Sequence, residues 1–252
     1  MAAIVTVVVL LTALLWWFLL RPDVPSSFAI DDAAASVAPE PEPEPLPSHV
    51  RSSASAPATA PAPDVEGTWL VDPAAGREVD GTSAGFRIVE ELARIGVTEA
   101  VGRTELVSGS LTITGRTISD VAVSVDMASL ETDDSHRDSH VRSALATGEF
   151  PTATFALSEP IELDAIPAED ETISVVATGT MTIRGVTNVV QVAIDGRLVD
   201  GTLVVVGSLP VRFTDYAVEV PRSAAVISVA DEGTIEFQLF LVRHSPRPLE
   251  TP

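Results

Sequence analysis

His136 and His140 stand four residues apart in DDSHRDSHVRSALAT, with Asp133, Asp134 and Asp138 around them. Two imidazoles at that spacing share one helix face and could open a zinc site, which needs a third protein ligand. The hydrolytic form of the pattern puts Glu directly after the first His, and Arg137 occupies that position. The plainer reading is a polar outer helix face on which Arg137 and Arg142 pair with acids. Ser, His and Asp all occur, but no Gly-x-Ser-x-Gly elbow, phosphate loop or dinucleotide fingerprint accompanies them. Cysteine is absent, which removes thiolate nucleophiles, disulfides and iron–sulfur clusters. Carboxylates are plentiful, yet they fall in loops or on outward strand positions where water solvates them. No catalytic residue, metal ligand or cofactor is assigned, and the expectation is a protein that is not an enzyme.

Charge narrows the partners. The chain carries 36 acids against 15 bases, all of them Arg, for a net charge of −21. Phosphate backbones require clustered cations, so nucleic acid is excluded as a partner. Docking to anionic lipid through a polybasic patch is excluded for the same reason.

The elements that would position any site have a period of two. In ETISVVATGTMTIR, Ile173, Val175, Ala177, Gly179, Met181 and Ile183 share a face, while Thr and Ser dominate the other. Val121, Val123, Val125 and Met127 alternate with Ser124 and Asp126, and Ile235, Phe237, Leu239 and Leu241 with Glu236 and Gln238. Further strands are expected near 67–72, 84–92, 98–107, 109–115, 152–159, 187–199 and 202–214. Arg-Gly at 184–185 and Asp-Gly at 200–201 break the pattern, the second being a good hairpin signal. Residues 133–147 lack alternation; Asp133 or Asp134 can cap a helix there and Gly148 can end it. Many short strands with one apolar face each imply a barrel or a sandwich. Inward faces rich in Val, Ile, Ala, Gly and Met suit a hollow barrel, but a packed sandwich remains open on composition alone.

Ahead of this domain lie two regions of different character. Residues 2–20 (AAIVTVVVLLTALLWWFLL) hold no charge, Gly or Pro, and as a helix would reach about 30 Å, roughly a bilayer core. Trp16, Trp17 and Phe18 sit near the end, where aromatic belts lie, and Arg21 follows. A cleaved signal peptide is the rival, but the stretch is long for one and lacks a basic leader. Segment 1–21 is therefore read as a transmembrane anchor. Residues 22–66 contain ten of the 19 prolines and eight acids, with little apolar surface, and are read as a disordered, extended spacer. At about 3 Å per residue it could reach on the order of 100 Å. The domain proper is 67–245, followed by a short tail, 246–252.

Within that domain the order of motifs resembles a known family. Gly67-Thr-Trp-Leu-Val-Asp-Pro73 is similar to the opening strand of YceI-like polyisoprenoid-binding proteins. Phe86-Arg-Ile88 and Gly109-Ser-Leu-Thr-Ile113 stand where that family has its next strands. Ser129-Leu-Glu-Thr132, followed by His136-Arg-Asp-Ser-His-Val-Arg-Ser143, is the most specific match. Phe150-Pro-Thr-Ala-Thr-Phe155, Gly179-Thr-Met-Thr-Ile-Arg-Gly-Val-Thr187 and Val211-Arg-Phe-Thr-Asp-Tyr216 complete the series. In the last of these, Ala217 replaces the family's Gly.

The resemblance covers about 67–243. It implies an all-β, lipocalin-like antiparallel β-barrel with one helix, outside the cytoplasm, holding a polyisoprenoid such as a quinone or its precursor. It also turns the hollow-or-packed choice toward hollow. On that reading Phe86, Phe155, Val175, Met181, Ile183 and Phe237, each on the apolar phase of its strand, form the ligand-binding wall. The whole chain is then expected to be a single-pass membrane protein, N-terminus inside and barrel outside, carrying or storing lipid without catalysis. A cell-envelope scaffold with a packed barrel is the alternative, and a metal enzyme built on His136 and His140 a distant third.

Overall fold

The computed structural model describes residues 24–38, 64–75, 81–93, 96–220 and 226–244. Its strands are β1 (Gly67–Val71), β2 (Ser83–Leu92), β3 (Gly96–Thr104), β4 (Val107–Thr114), β5 (Thr117–Asp126) and β6 (Thr152–Leu157). They continue as β7 (Ile161–Glu162), β8 (Ile173–Ile183), β9 (Val186–Val199), β10 (Thr202–Arg212), β11 (Val226–Val229) and β12 (Glu232–Arg243). Two α-helices, α1 (Ile30–Ala35) and α2 (Ser135–Ala144), and two 3₁₀ turns, Met127–Ser129 and Phe213–Tyr216, complete the described elements.

All strand pairs are antiparallel, and eight strands close a ring in the order β1-β4-β5-β6-β8-β9-β10-β12. Closure is made by the second half of β12, where Val71 meets Leu241 and Trp69 meets Arg243. The first half of β12 pairs instead with β2, from Thr234–Arg87 to Gln238–Ser83. Because β3 and β11 flank β2, the wall is widened at one end by a three-stranded flap. That end also carries α2, the β8–β9 hairpin and the last residues of β10. The opposite end carries the turns at 115–116 and 200–201.

Local chemistry explains the turns and caps. Arg184-Gly185 and Asp200-Gly201 have φ of 51° and 74°, and of 46° and 73°, which suits two-residue hairpins between right-twisted strands. The helix expected over 133–147 spans 135–144, with the Asp134 carboxylate accepting from the His136 N–H at 2.8 Å. The opening motif is a lock: Trp69, 2% exposed, donates from Nε1 to the Val65 carbonyl at 2.9 Å. Asp72 then accepts from the Ala74 N–H at 2.8 Å and turns the chain at Pro73. β7 and β11, two and four residues long, are too short to show a period and were not expected.

One expectation requires correction. Residues 24–38, read as part of a disordered spacer, form α1 and its flanks on the outside of the barrel. Ala33 and Ala34 are buried there against Val199, Val204, Val206 and Phe240. Those four occupy the outward phase of β9, β10 and β12, so they would form an apolar patch without this cover. A reading of the segment's own sparse apolar content misses the surface it meets. Residues 64–66, also read as spacer, join the barrel as well, with Val65 buried in its core and Asp64 paired with Arg243. The remaining parts of the expected anchor and spacer, 1–23 and 39–63, and the tail 246–252 lie outside the described residues. No helix among the described residues is long and apolar enough to cross a membrane.

Candidate functional site

The ring encloses a cavity of about 550 Å³. That falls within the roughly 300–1,000 Å³ typical of pockets that enclose small organic ligands. The barrel is hollow, not packed. Phe86, Phe155, Val175, Met181, Ile183 and Phe237 all lie on its wall, as do Met127 and the valines at 121, 123 and 125. The wall is apolar because each strand turns its hydrophobic phase inward.

The three phenylalanines show how space is kept. Phe86 sits opposite Gly102 on β3, and Phe237 opposite Gly207 on β10. Phe155 lies diagonally across Gly179 of β8. In all three places a Cβ on the glycine would collide with the ring. The rings therefore lie back against bare backbone instead of standing into the lumen.

Polar groups on the wall gather at the α2 end: Glu90, Asp134, His136, Arg137, His140, Arg212 and Tyr216. Arg137 links the helix to the flap, its Nη2 reaching Glu90 at 2.8 Å, and it also pairs with Asp133. Buried Asp138 accepts from both the N–H and the hydroxyl of Thr132, each at 2.7 Å. The strongest motif of the sequence is thus a clasp that fixes α2 at the cavity rim; Arg137 pairs with acids as the plain reading held, whereas Arg142 forms no ion pair among the described residues. His136 and His140 are exposed on that rim rather than on a remote outer face. No group of three His, Asp or Glu side chains placed to hold a metal ion occurs among the described residues.

Tyr216 is the unusual member. It is 3% exposed and lines the cavity, and its hydroxyl makes no hydrogen bond of normal geometry among the described residues, the Asn188 side chain being only a weak partner. Burial pushes its phenol above the ordinary value and the Asp215 charge adds to this, while neighbouring Asn188 pulls partly the other way. Such a group is a neutral donor waiting for an acceptor. Sequence reasoning missed Glu90, Arg212 and Tyr216 as rim residues. Glu90 was recoverable, since it shares the phase of Phe86 and Ile88; Tyr216 lies on a single 3₁₀ turn, where no phase exists.

The matched domain spans residues 69–241 and is described as YceI-like. The chain belongs to the YceI-like family. This YceI-like chain is similar to a polyisoprenoid binding domain from Saccharophagus degradans implicated in plant cell wall breakdown. The identity is 17% and the TM-score 0.54, over 71% of this chain and 99% of that one. BcnA of Burkholderia cenocepacia is 22% identical with a TM-score of 0.47, over 68% of this chain and 98% of that one. The Campylobacter jejuni YCEI protein is 17% identical with a TM-score of 0.47, over 57% and 85%. No curated protein matches the chain significantly. In this YceI-like barrel, Ala217, which stands where the motif resemblance puts a glycine, adopts φ 52°, the left-handed region that glycine tolerates best.

Proposed function

We propose that this YceI-like protein is a membrane-anchored, extracytoplasmic carrier or reservoir for a polyisoprenoid lipid, a quinone or an isoprenoid precursor. The observation that carries the reading is a cavity lined by Val, Ile, Leu, Met and Phe along its length and polar at one end. An isoprenoid tail is branched, apolar and flexible, so it needs dryness and shape more than hydrogen bonds. Each buried CH₂ contributes about 0.8 kcal/mol, so a few isoprene units suffice without a charged anchor. Met127 and Met181 give the lining some adaptability. Tyr216, Arg212 and the α2 rim would meet the polar head group. The likeness to the Saccharophagus degradans domain supports an isoprenoid over other apolar ligands. The apolar run 2–20 supports the anchor.

The role is binding without chemistry. Native mass spectrometry of the full chain after mild extraction tests it, with a co-purified lipid mass as the expected result. An empty barrel that also refuses polyprenol or quinone added in detergent would overturn the reading. Protease added to intact cells checks placement, because an extracytoplasmic barrel is degraded while a cytoplasmic one survives.

A further inference from the structure

The segment before the barrel has a direction. The Pro25 carbonyl accepts from Arg87, which sits level with Thr234 and Pro210 near the α2 end. Ser26 accepts from Arg103, and the Phe28 ring lies 4.0 Å beneath the same guanidinium. Further along, Asp31 pairs with Arg197, which is level with Val204. Ala33 and Ala34 then close over Val199, Val204 and Phe240, beside the turn at the opposite end. Arg87 and Arg103 are themselves held by Glu236, 3% exposed, at 2.9 and 2.8 Å. The segment therefore runs down the wall as a strap, starting at the cavity's polar end.

The apolar run ends at Leu20, four residues before the strap begins at Val24. Four extended residues span at most about 14 Å. We infer that the strap holds the barrel against the bilayer surface, with the polar-rimmed α2 end of the cavity facing the lipid. This rests on the membrane-anchored reading above and deepens it. It replaces a tether of about 100 Å by a short, directed one. The residues between 38 and 64 no longer set the distance, because both flanks of that stretch lie on the barrel. The surface brought to the bilayer is the tip of the flap, where Val89, Val97 and Ile227 are 49%, 75% and 62% exposed. Apolar side chains beside a cavity mouth suit a lipid interface, and a lipid entering there would leave the bilayer without crossing water.

The chain has no cysteine, so single labels are unambiguous. The full chain carrying Val97→Cys at the flap tip, or Thr114→Cys at the opposite end, is labelled with a fluorophore. Each is reconstituted in phosphatidylcholine vesicles containing a head-group quencher. The inference expects several-fold stronger quenching at 97 than at 114. Ala34→Glu, which drives a charge under the strap, should erase the difference, and Phe28→Ser is the substitute if that variant does not fold. Equal quenching in chains that float with the vesicles, or a difference that survives strap release, would overturn the inference and leave the anchor intact. Chains that fail to float would remove the anchor reading, and the inference with it.

Discussion

Phe86 lies flat across Gly102, its partner on the neighbouring strand, and a Cβ at Gly102 would come within 2.5 Å of the ring carbons Cε1 and Cζ. The next nearest atom to that Cβ is a Thr132 methyl at 3.1 Å, so the clash is with side chains alone. The glycine is thus a recess for the ring, and the recess keeps the lumen open.

Gly102→Ala should push the ring into the cavity. We expect a loss of about 1–3 kcal/mol, as for other overpacked sites, with a larger loss of lipid retention. Adding Phe86→Leu should restore both. Urea melts with and without bound lipid check this; a stable variant that retains lipid normally would remove the recess role.

Val175→Trp asks whether the space is used. Ala177 on the same face is only 1% exposed and shut in by neighbours, whereas Val175 keeps partial exposure to the lumen. An indole entering free volume should leave the melting temperature of the empty protein nearly unchanged while lipid retention falls sharply. A large stability loss with unchanged retention would favour a packed scaffold.

Arg137→Ala should loosen the clasp. It strands Glu90, whose side chain is 8% exposed, without its cation. Loss of a charged hydrogen bond gives about 1.5–3 kcal/mol, and the partial exposure of Arg137 argues for the lower part of that range. Glu90→Gln in the same chain should recover part of the loss. By contrast, Gln at both 136 and 140 should leave stability and lipid binding intact.

How much of this could be read from residue order depends on where periodicity exists. The ring strands and the inward set from Phe86 to Phe237 follow from alternation, which has only two phases to choose between. α2 was legible from its missing alternation and its Asp cap. The strap was not, because Ala-rich 30–35 has too little apolar surface to suggest burial by itself. Its signal lay elsewhere: Val204, Val206 and Phe240 are apolar on the outward phase, and Glu236 is an acid that ends up 3% exposed. Apolar residues on both faces of a strand imply a second layer. The rim residue Tyr216 was invisible because irregular backbone aims it, and Arg212, the last residue of β10, because it stands on the phase opposite Val211.

Ala217→Gly should stabilise the barrel. Ala217 holds φ 52° at the end of the turn Phe213–Tyr216, and its carbonyl receives the Arg184 guanidinium. A left-handed alanine costs roughly 1–2 kcal/mol relative to its relaxed backbone, offset in part by glycine's freer unfolded chain. A net gain of up to about 1 kcal/mol is expected, read as a higher urea midpoint with an unchanged slope. No gain would mean the turn is held in place at no conformational penalty.

Tyr216→Phe separates ligand from fold. The buried hydroxyl makes no hydrogen bond of normal geometry, only a weak contact with the Asn188 side chain, so deleting it should leave the empty barrel about as stable as before. The pH profile follows from the sign of the shift. Burial raises the phenol's folded value above the unfolded one, near 10, so above that pH the unfolded chain gives up its proton first. Stability should therefore hold below about pH 10 and fall as pH rises further, and the Phe variant should lose this component of the alkaline decline. Lipid discrimination moves the other way. If the hydroxyl donates to a head-group oxygen, the variant should release a quinone more readily while retaining a head-less isoprenoid hydrocarbon unchanged. Equal loss of both ligands would show that Tyr216 merely shapes the wall.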